Sequence, residues 1–148
     1  MTEITIRLAT HTDKSEWLRM RQVLWPDHTT KEFAVQSEEI LNDPMQAVFV
    51  VGRPNGRLGG FIEVGTRKHA EGCESNPVGY IEGWYVDEDL REQGIGKLLV
   101  KTAEDWARSQ GLTEMASDTW LDNEASIQAH LKMGYEEIER LAHFAKKL

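Results

Sequence analysis

Residues 78–99 read VGYIEGWYVDEDLREQGIGKLL, and their order decides the fold. Val78 to Val86 is the best strand-like run of the chain, rich in the aromatic and branched residues that suit a pleated surface. From Ile95 a helix is expected as far as Gln110, because Ile95, Leu98, Leu99, Thr102 and Trp106 fall on one helical face and Gly111 stops it. Between strand and helix, Gly94 and Gly96 carry no Cβ, so the backbone turns tightly and a ligand can come close. The first amides of the helix have no internal partner and lie at the positive end of its dipole. The loop therefore reads as an anion cradle, and Arg91 and Lys97 add charge suited to a pyrophosphate. Two glycines alone fit a plain strand-to-helix turn equally well. A Walker loop is excluded, since no Gly-x4-Gly-Lys-Ser/Thr is present, and a Rossmann fingerprint would need a third glycine.

Working outward, Ile4, Ile6 and Leu8 alternate with Thr5 and Arg7 as a first strand. A helix follows from Asp13, which stands at capping-box spacing from Glu16, and it carries Trp17, Leu18, Arg21 and Leu24 to Pro26. A second helix begins near Thr29. Ala47–Val51 and Leu58–Val64 are apolar runs around Asn55-Gly56, the signal of a hairpin. Lys68 to Pro77 is a polar loop. Met115–Trp120 reads as a strand, Glu124–Met133 as a helix with Asn123 at its N-cap, and Tyr135–Phe144 as one or two closing strands. Strands and helices are mixed throughout, so the fold is α/β or α+β around one central sheet.

At 148 residues the chain is one domain, 1–148, of ordinary globular composition, with 40% hydrophobic and 28% charged residues. Cys73 is the single cysteine, which excludes an internal disulfide framework, and no Cys/His cluster has the spacing of a metal site. No apolar run is long enough for a membrane helix and the first residues lack an apolar signal core, so a cytoplasmic protein is expected. The formal charge of −8 repels nucleic-acid phosphates and anionic lipids and favours a polycationic small molecule as partner.

Arg91-x-x-Gly94-x-Gly96 resembles the pyrophosphate signature of the GNAT N-acetyltransferases, at the place where that family carries it. Asn123 at the start of a later helix and Gly134-Tyr135 before the last residues agree. The resemblance covers nearly the whole chain. It implies acetyl-CoA as co-substrate, no metal, and a mixed, mostly antiparallel sheet whose fourth strand splays from its neighbour. It further implies that Trp84, Tyr85 and Val86 line the pantetheine arm, that Arg91, Glu92, Gln93, Gly94, Ile95, Gly96 and Lys97 hold the pyrophosphate, and that Asn123 contacts the cofactor further along. Members of the family often form homodimers, for which the apolar residues of Leu141–Leu148 are available.

Four segments are more specific: WLRMR at 17–21, LWP at 24–26, IEGWYV at 81–86 and MASDT at 115–119. They are similar to the aminoglycoside 6′-N-acetyltransferases, which modify kanamycin and tobramycin. By simple alternation Glu82 shares a side with Trp84 and Val86. A carboxylate on so apolar a strand needs a partner, either a substrate ammonium or a backbone or Arg donor. Asp118 on the next strand can converge with Glu82 on one amine. Trp25 offers a flat face to a sugar ring, or else is core. The resemblance adds His28, His69 and Glu139 as substrate contacts.

The expected chemistry is direct attack of a neutral amine on the thioester, with Asp118 or Glu82 binding the ammonium or taking its proton. Many family members place a Tyr general acid seven residues after the helix-opening Asn; here that position is His130, whose imidazole can serve or be an ordinary helix residue. Tyr135 is expected in the core and Cys73 as a free thiol. Rival readings are an acetyltransferase for another polyamine or an amino acid, a non-catalytic acyl-CoA sensor, and a nucleotide-binding module relying on Asp87 and Asp89.

Overall fold

A computed structural model describes residues 3–148. Five strands form one sheet in sequence order: β1 (Thr5–Leu8), β2 (Ala47–Gly52), β3 (Leu58–Arg67), β4 (Val78–Val86) and β5 (Met115–Ser117). The first four are antiparallel to their neighbours, and β4 and β5 run parallel. Four helices accompany them: α1 (Lys14–Leu24), α2 (Thr30–Asn42), α3 (Ile95–Ser109) and α4 (Glu124–Lys132).

Because β2 and β3 are covered on both faces, their sequences run apolar without alternating. Val51, Ile62, Val64 and Ile81 pack against Leu99 and Ala103 of α3 on one face. Val48, Val50, Phe61 and Leu58 pack against Trp17 and Met20 of α1 on the other. The hairpin between β2 and β3 turns at Gly56, whose φ is +84°, and the Asn55 side chain accepts the Arg57 N–H at 2.9 Å.

Several local expectations are corrected. The Asp13 and Glu16 carboxylates do not form a capping box. Asp13 accepts the Thr10 N–H at 2.8 Å and pairs with Arg7 through two bonds of 2.7 and 2.9 Å, because β1 delivers a guanidinium beside it. Leu98 is 48% exposed; the buried stripe of α3 centres on Ile95, Leu99, Val100, Ala103 and Ala107, and Leu98 falls at its margin. Strand β5 ends at Ser117, and Trp120 beyond it is exposed. Tyr135–Phe144 forms no strand. Its apolar residues Ile138, Leu141 and Phe144 recur at intervals of three, which puts them on no single face of a strand. Ile138, Leu141, Phe144 and Leu148 are all exposed, and Ile138 lies beside Gly72 of the 68–77 loop.

Two features of β4 prepare the site. Its pairing with β5 is confined to Gly79–Met115, Tyr80–Ala116 and Ile81–Ser117, so residues 82–86 present a free backbone edge on that side. The register against β3 also shifts: Glu63 faces Gly83 and Val64 faces Ile81, which leaves Glu82 as the extra residue of a β-bulge.

Candidate active site

The bulge changes which face Glu82 occupies. Ile81, Trp84 and Val86 pack toward α3, whereas Tyr85 packs toward α1 and a Cβ on Gly83 would meet Trp25 and Phe61. Simple alternation put Glu82 with Trp84 and Val86; the inserted residue breaks that alternation. Glu82 is instead tied to Arg67 of β3 by bonds of 3.0 and 2.7 Å, and the Arg67 guanidinium lies 3.5 Å from the centre of the Tyr80 ring. The Tyr80 hydroxyl in turn donates to Asp118 at 2.5 Å. Glu82 and Asp118 are both solvent-exposed, and through Arg67 and Tyr80 they belong to one cluster where β4 and β5 part. Burial and the adjacent Asp118 carboxylate both push the Tyr80 phenol well above its usual range, so it remains a donor to that carboxylate.

Beside this cluster stands an aromatic wall. Trp25 follows α1 and lies within 6.4 Å of both Phe33 and Phe61, ring centre to ring centre. It rests against β4 because position 83 is glycine: a Cβ there would come within 2.6 Å of the indole. Under it, the Arg21 guanidinium lies 4.9 Å from the Trp25 ring and 4.9 Å from Phe33. Arg21 is held by Glu63, with Nε 3.0 Å from one carboxylate oxygen, and the Trp17 indole N–H donates to that same oxygen at 3.0 Å. Glu63 and Arg21 are buried, and desolvation raises the Glu63 carboxyl while lowering the Arg21 guanidinium.

The glycine loop forms the other end of the site. Glu92 and Gly94 adopt left-handed backbone, φ 63° and 80°, and a Cβ on Gly96 would meet the Trp84 ring at 3.1 Å. Arg91 donates from Nε to the Val86 carbonyl at 2.8 Å, which anchors the loop to the end of β4. The open first turn of α3 thus faces the free edge of β4. The Trp84 Nε1 is buried there without a partner, an orphan donor beside the loop. An extended amide-bearing arm ending in a pyrophosphate fits these groups: the β4 edge suits the arm, the α3 amides and Lys97 suit the phosphates, and Trp84 supplies a waiting N–H. Among the described residues no group of His, Cys, Asp and Glu is arranged to hold a metal.

His130 of α4 closes the opening from the far side. Its ring stands edge-on to Trp84 at 5.3 Å, and Nε2 lies 2.8 Å from the Ser117 hydroxyl at the end of β5. Nδ1 lies 2.7 Å from the Ser126 carbonyl, which can only accept, so Nδ1 carries a proton and a neutral ring offers its lone pair on Nε2. Asn123 caps α4, accepting the Ser126 N–H at 3.1 Å. Tyr135 is half-buried, packs on His130 and donates to Glu104 at 2.7 Å.

Trp25, Glu82 and Asp118 therefore gather on one side of the β4–β5 opening, with Trp84, Gly96 and His130 on the other. His28 sits beyond Trp25, stacked on Phe33 at 5.5 Å and 3.2 Å from Glu32. His69, 3.3 Å from Glu71, stands in the loop after β3, two residues past Arg67. Glu139 lies exposed in the C-terminal segment with no contact to the cluster among the described residues. Arg67, Tyr80, Ser117, Arg21 and Glu63 were not singled out as site residues; only the register of the sheet brings Arg67 and Tyr80 to the carboxylates.

Comparison with known proteins identifies the family. A family model described as "Acetyltransferase (GNAT) family" matches residues 14–135. The aminoglycoside N(6′)-acetyltransferase type 1 of Klebsiella aerogenes is 44% identical, with 97% of this chain and 96% of that protein covered. The enzyme of the same name from Serratia marcescens is 35% identical, over 97% of this chain and 99% of its own. Among solved structures, AAC(6′)-Iy bound to the bisubstrate analogue CoA-S-monomethyl-acetylneamine superposes with TM-score 0.91 at 33% identity, covering 99% of each chain. The same enzyme bound to CoA gives TM-score 0.93 at 32% identity, covering 100% of this chain and 97% of the other. With a family match over most of its length and relatives of this identity over nearly all of it, the chain belongs to the GNAT acetyltransferase family.

Proposed function

We propose that the protein transfers the acetyl group of acetyl-CoA to the 6′-amino group of aminoglycosides of the kanamycin and tobramycin type, inactivating them and conferring resistance. The observation that carries this reading is the pair of exposed carboxylates, Glu82 and Asp118, standing where β4 and β5 part, next to an aromatic wall and opposite an anion cradle. A polyamine sugar needs negative charge for its ammonium groups and a flat apolar face for its ring. Trp25 supplies the face, and in this reading His28, His69 and Glu139 are secondary substrate contacts.

Acetyl-CoA supplies the activated thioester when bound, on Trp84, Tyr85, Val86, the 91–97 loop and Asn123. The two carboxylates divide their labour. Both oxygens of Glu82 are engaged by Arg67, so Glu82 binds cations and is not the proton acceptor. Asp118 takes a hydrogen bond from Tyr80 on Oδ2, and Oδ1 is left for the proton that the ammonium must lose before its nitrogen can attack. As the C–N bond forms and the C–S bond breaks, the nitrogen would shed its remaining extra proton to solvent, and His130 in its protonated form would give a proton from Nε2 to the departing thiolate.

Acetyl-CoA chemistry of this kind belongs in the cytoplasm. The protein acts as a homodimer in this reading: Leu141, Phe144 and Leu148 are exposed apolar residues, and a second copy is the partner that covers them. Sedimentation equilibrium then gives twice the chain mass, and a monomer would exclude the dimer.

Thiol release from acetyl-CoA tests the reading against its rivals. Tobramycin is expected to turn over at least about a hundredfold more efficiently in kcat/KM than spermidine or free amino acids, a difference the two extra charged contacts can supply. Preference for spermidine would assign the enzyme to polyamines. CoA binding with no turnover of any amine would make it a sensor.

A further inference from the structure

We infer that Arg67 is a specificity-determining residue: its guanidinium occupies the ammonium subsite of the site described above and must be displaced by a substrate amine. The inference rests on the aminoglycoside reading of Glu82 and Asp118. Arg67 is the last residue of β3, and its side chain runs across the bulge to grip Glu82 with two bonds of 3.0 and 2.7 Å. A two-pronged, charge-assisted pair is the arrangement an incoming ammonium would have to match. The same guanidinium lies flat on Tyr80, 3.5 Å from the ring centre, and Tyr80 is the residue that bonds Asp118. One resident cation thus neutralises part of the charge of both substrate carboxylates.

Arg67 is partly exposed, its side chain 43% accessible, and it is held by contacts that all lie within the substrate cluster. It can swing outward without disturbing the core. A ligand with one ammonium group gains little from exchanging one cation for another on Glu82. A ligand with several ammonium groups, spaced to reach Asp118 as well, gains a second ion pair and wins the exchange. The device therefore selects polycations over the single amines abundant in a cell, by a repulsive as well as an attractive element.

Arg67→Met tests this, with Arg67→Lys as a second variant that keeps the charge and loses the two-pronged grip. In the wild type, exchange of guanidinium for ammonium is nearly charge-neutral, so KM depends weakly on salt. In Arg67→Met the substrate meets uncompensated carboxylates. Its tobramycin KM is expected to fall about two- to fivefold at low ionic strength, as for the loss of one competing ion pair, and to rise more steeply with salt. The change falls mainly on KM, and simple monoamines gain relative to tobramycin. Arg67→Lys lies between. A higher KM in Arg67→Met would mean that Arg67 holds the substrate, and an unchanged KM and salt slope would mean that it is structural; either overturns the inference. Calorimetric titration of both proteins with tobramycin and with a monoamine such as ethanolamine reads the same competition as Kd, without turnover. Absence of wild-type turnover would therefore sink the proposed function while the Kd comparison still decides the role of Arg67.

Discussion

Asp118→Asn is expected to lower kcat/KM for an aminoglycoside about a thousandfold, within the range that loss of a positioned proton acceptor covers. The substitution is chosen because it spares the fold. Asparagine has the shape of aspartate, and its carbonyl oxygen still accepts the Tyr80 hydroxyl that now lies 2.5 Å from Asp118. Asp118 is also exposed, so its neutralisation leaves no buried charge behind. What disappears, in the proposed reaction, is the negative charge that attracts the ammonium and the basic oxygen that takes its proton. Steady-state kinetics with tobramycin measures the loss, and CoA affinity, which in the proposed reaction depends on the loop at 91–97, is expected to stay within a few-fold of wild type. A variant that keeps more than a tenth of the activity would remove Asp118 from the reaction. It would leave Glu82 as the sole carboxylate of the site, although Arg67 engages both of its oxygens.

Glu63→Ala is expected to cost about 3–5 kcal/mol of stability, the penalty for leaving a buried charge without its partner. For a chain of this size that lowers Tm by roughly 6–20 °C. Arg21 is 5% exposed and enclosed by Trp17, Trp25 and Phe33, so its charge has little access to water once the carboxylate is gone. The same substitution reaches the site, because Arg21 is the platform beneath Trp25; the aminoglycoside KM should rise as well. The double replacement Glu63→Leu with Arg21→Met removes both charges and should regain most of the lost stability, which separates an unpaired charge from a simple cavity. Thermal denaturation of the single and double variants decides it. A Glu63→Ala protein as stable as wild type would show that the pair contributes nothing beyond the apolar packing around it.

Much of this molecule was legible before its coordinates. The strand at 78–86, the glycine loop and the helix from Ile95 each rest on a local rule, and each stands where the sequence puts it. Asn123 caps α4 as its residue type dictates, and Trp17 is wholly buried. What sequence reading missed is non-local. The bulge at Glu82 depends on the register between β3 and β4, and no composition signal in either strand announces it. One inserted residue moves a carboxylate from the face of Trp84 to the face of Trp25. Arg67 and Tyr80 are ordinary strand residues until that register sets them beside Glu82 and Asp118. The closing strands failed for a different reason: residues 135–148 have no sheet neighbour among the described residues, and strand formation is a property of pairs.

The central claim is acetyl transfer to one particular nitrogen, and the most direct test is thiol release from acetyl-CoA with two tobramycin-type substrates that differ only at the 6′ position. The compound with a 6′-amine is expected to release CoA and to gain one acetyl group by mass, while its 6′-hydroxyl counterpart releases none. Equal release from both compounds would contradict the account, since the reacting nitrogen would then lie elsewhere on the sugar and the arrangement of Asp118, Glu82 and Trp25 would have to serve a different amine.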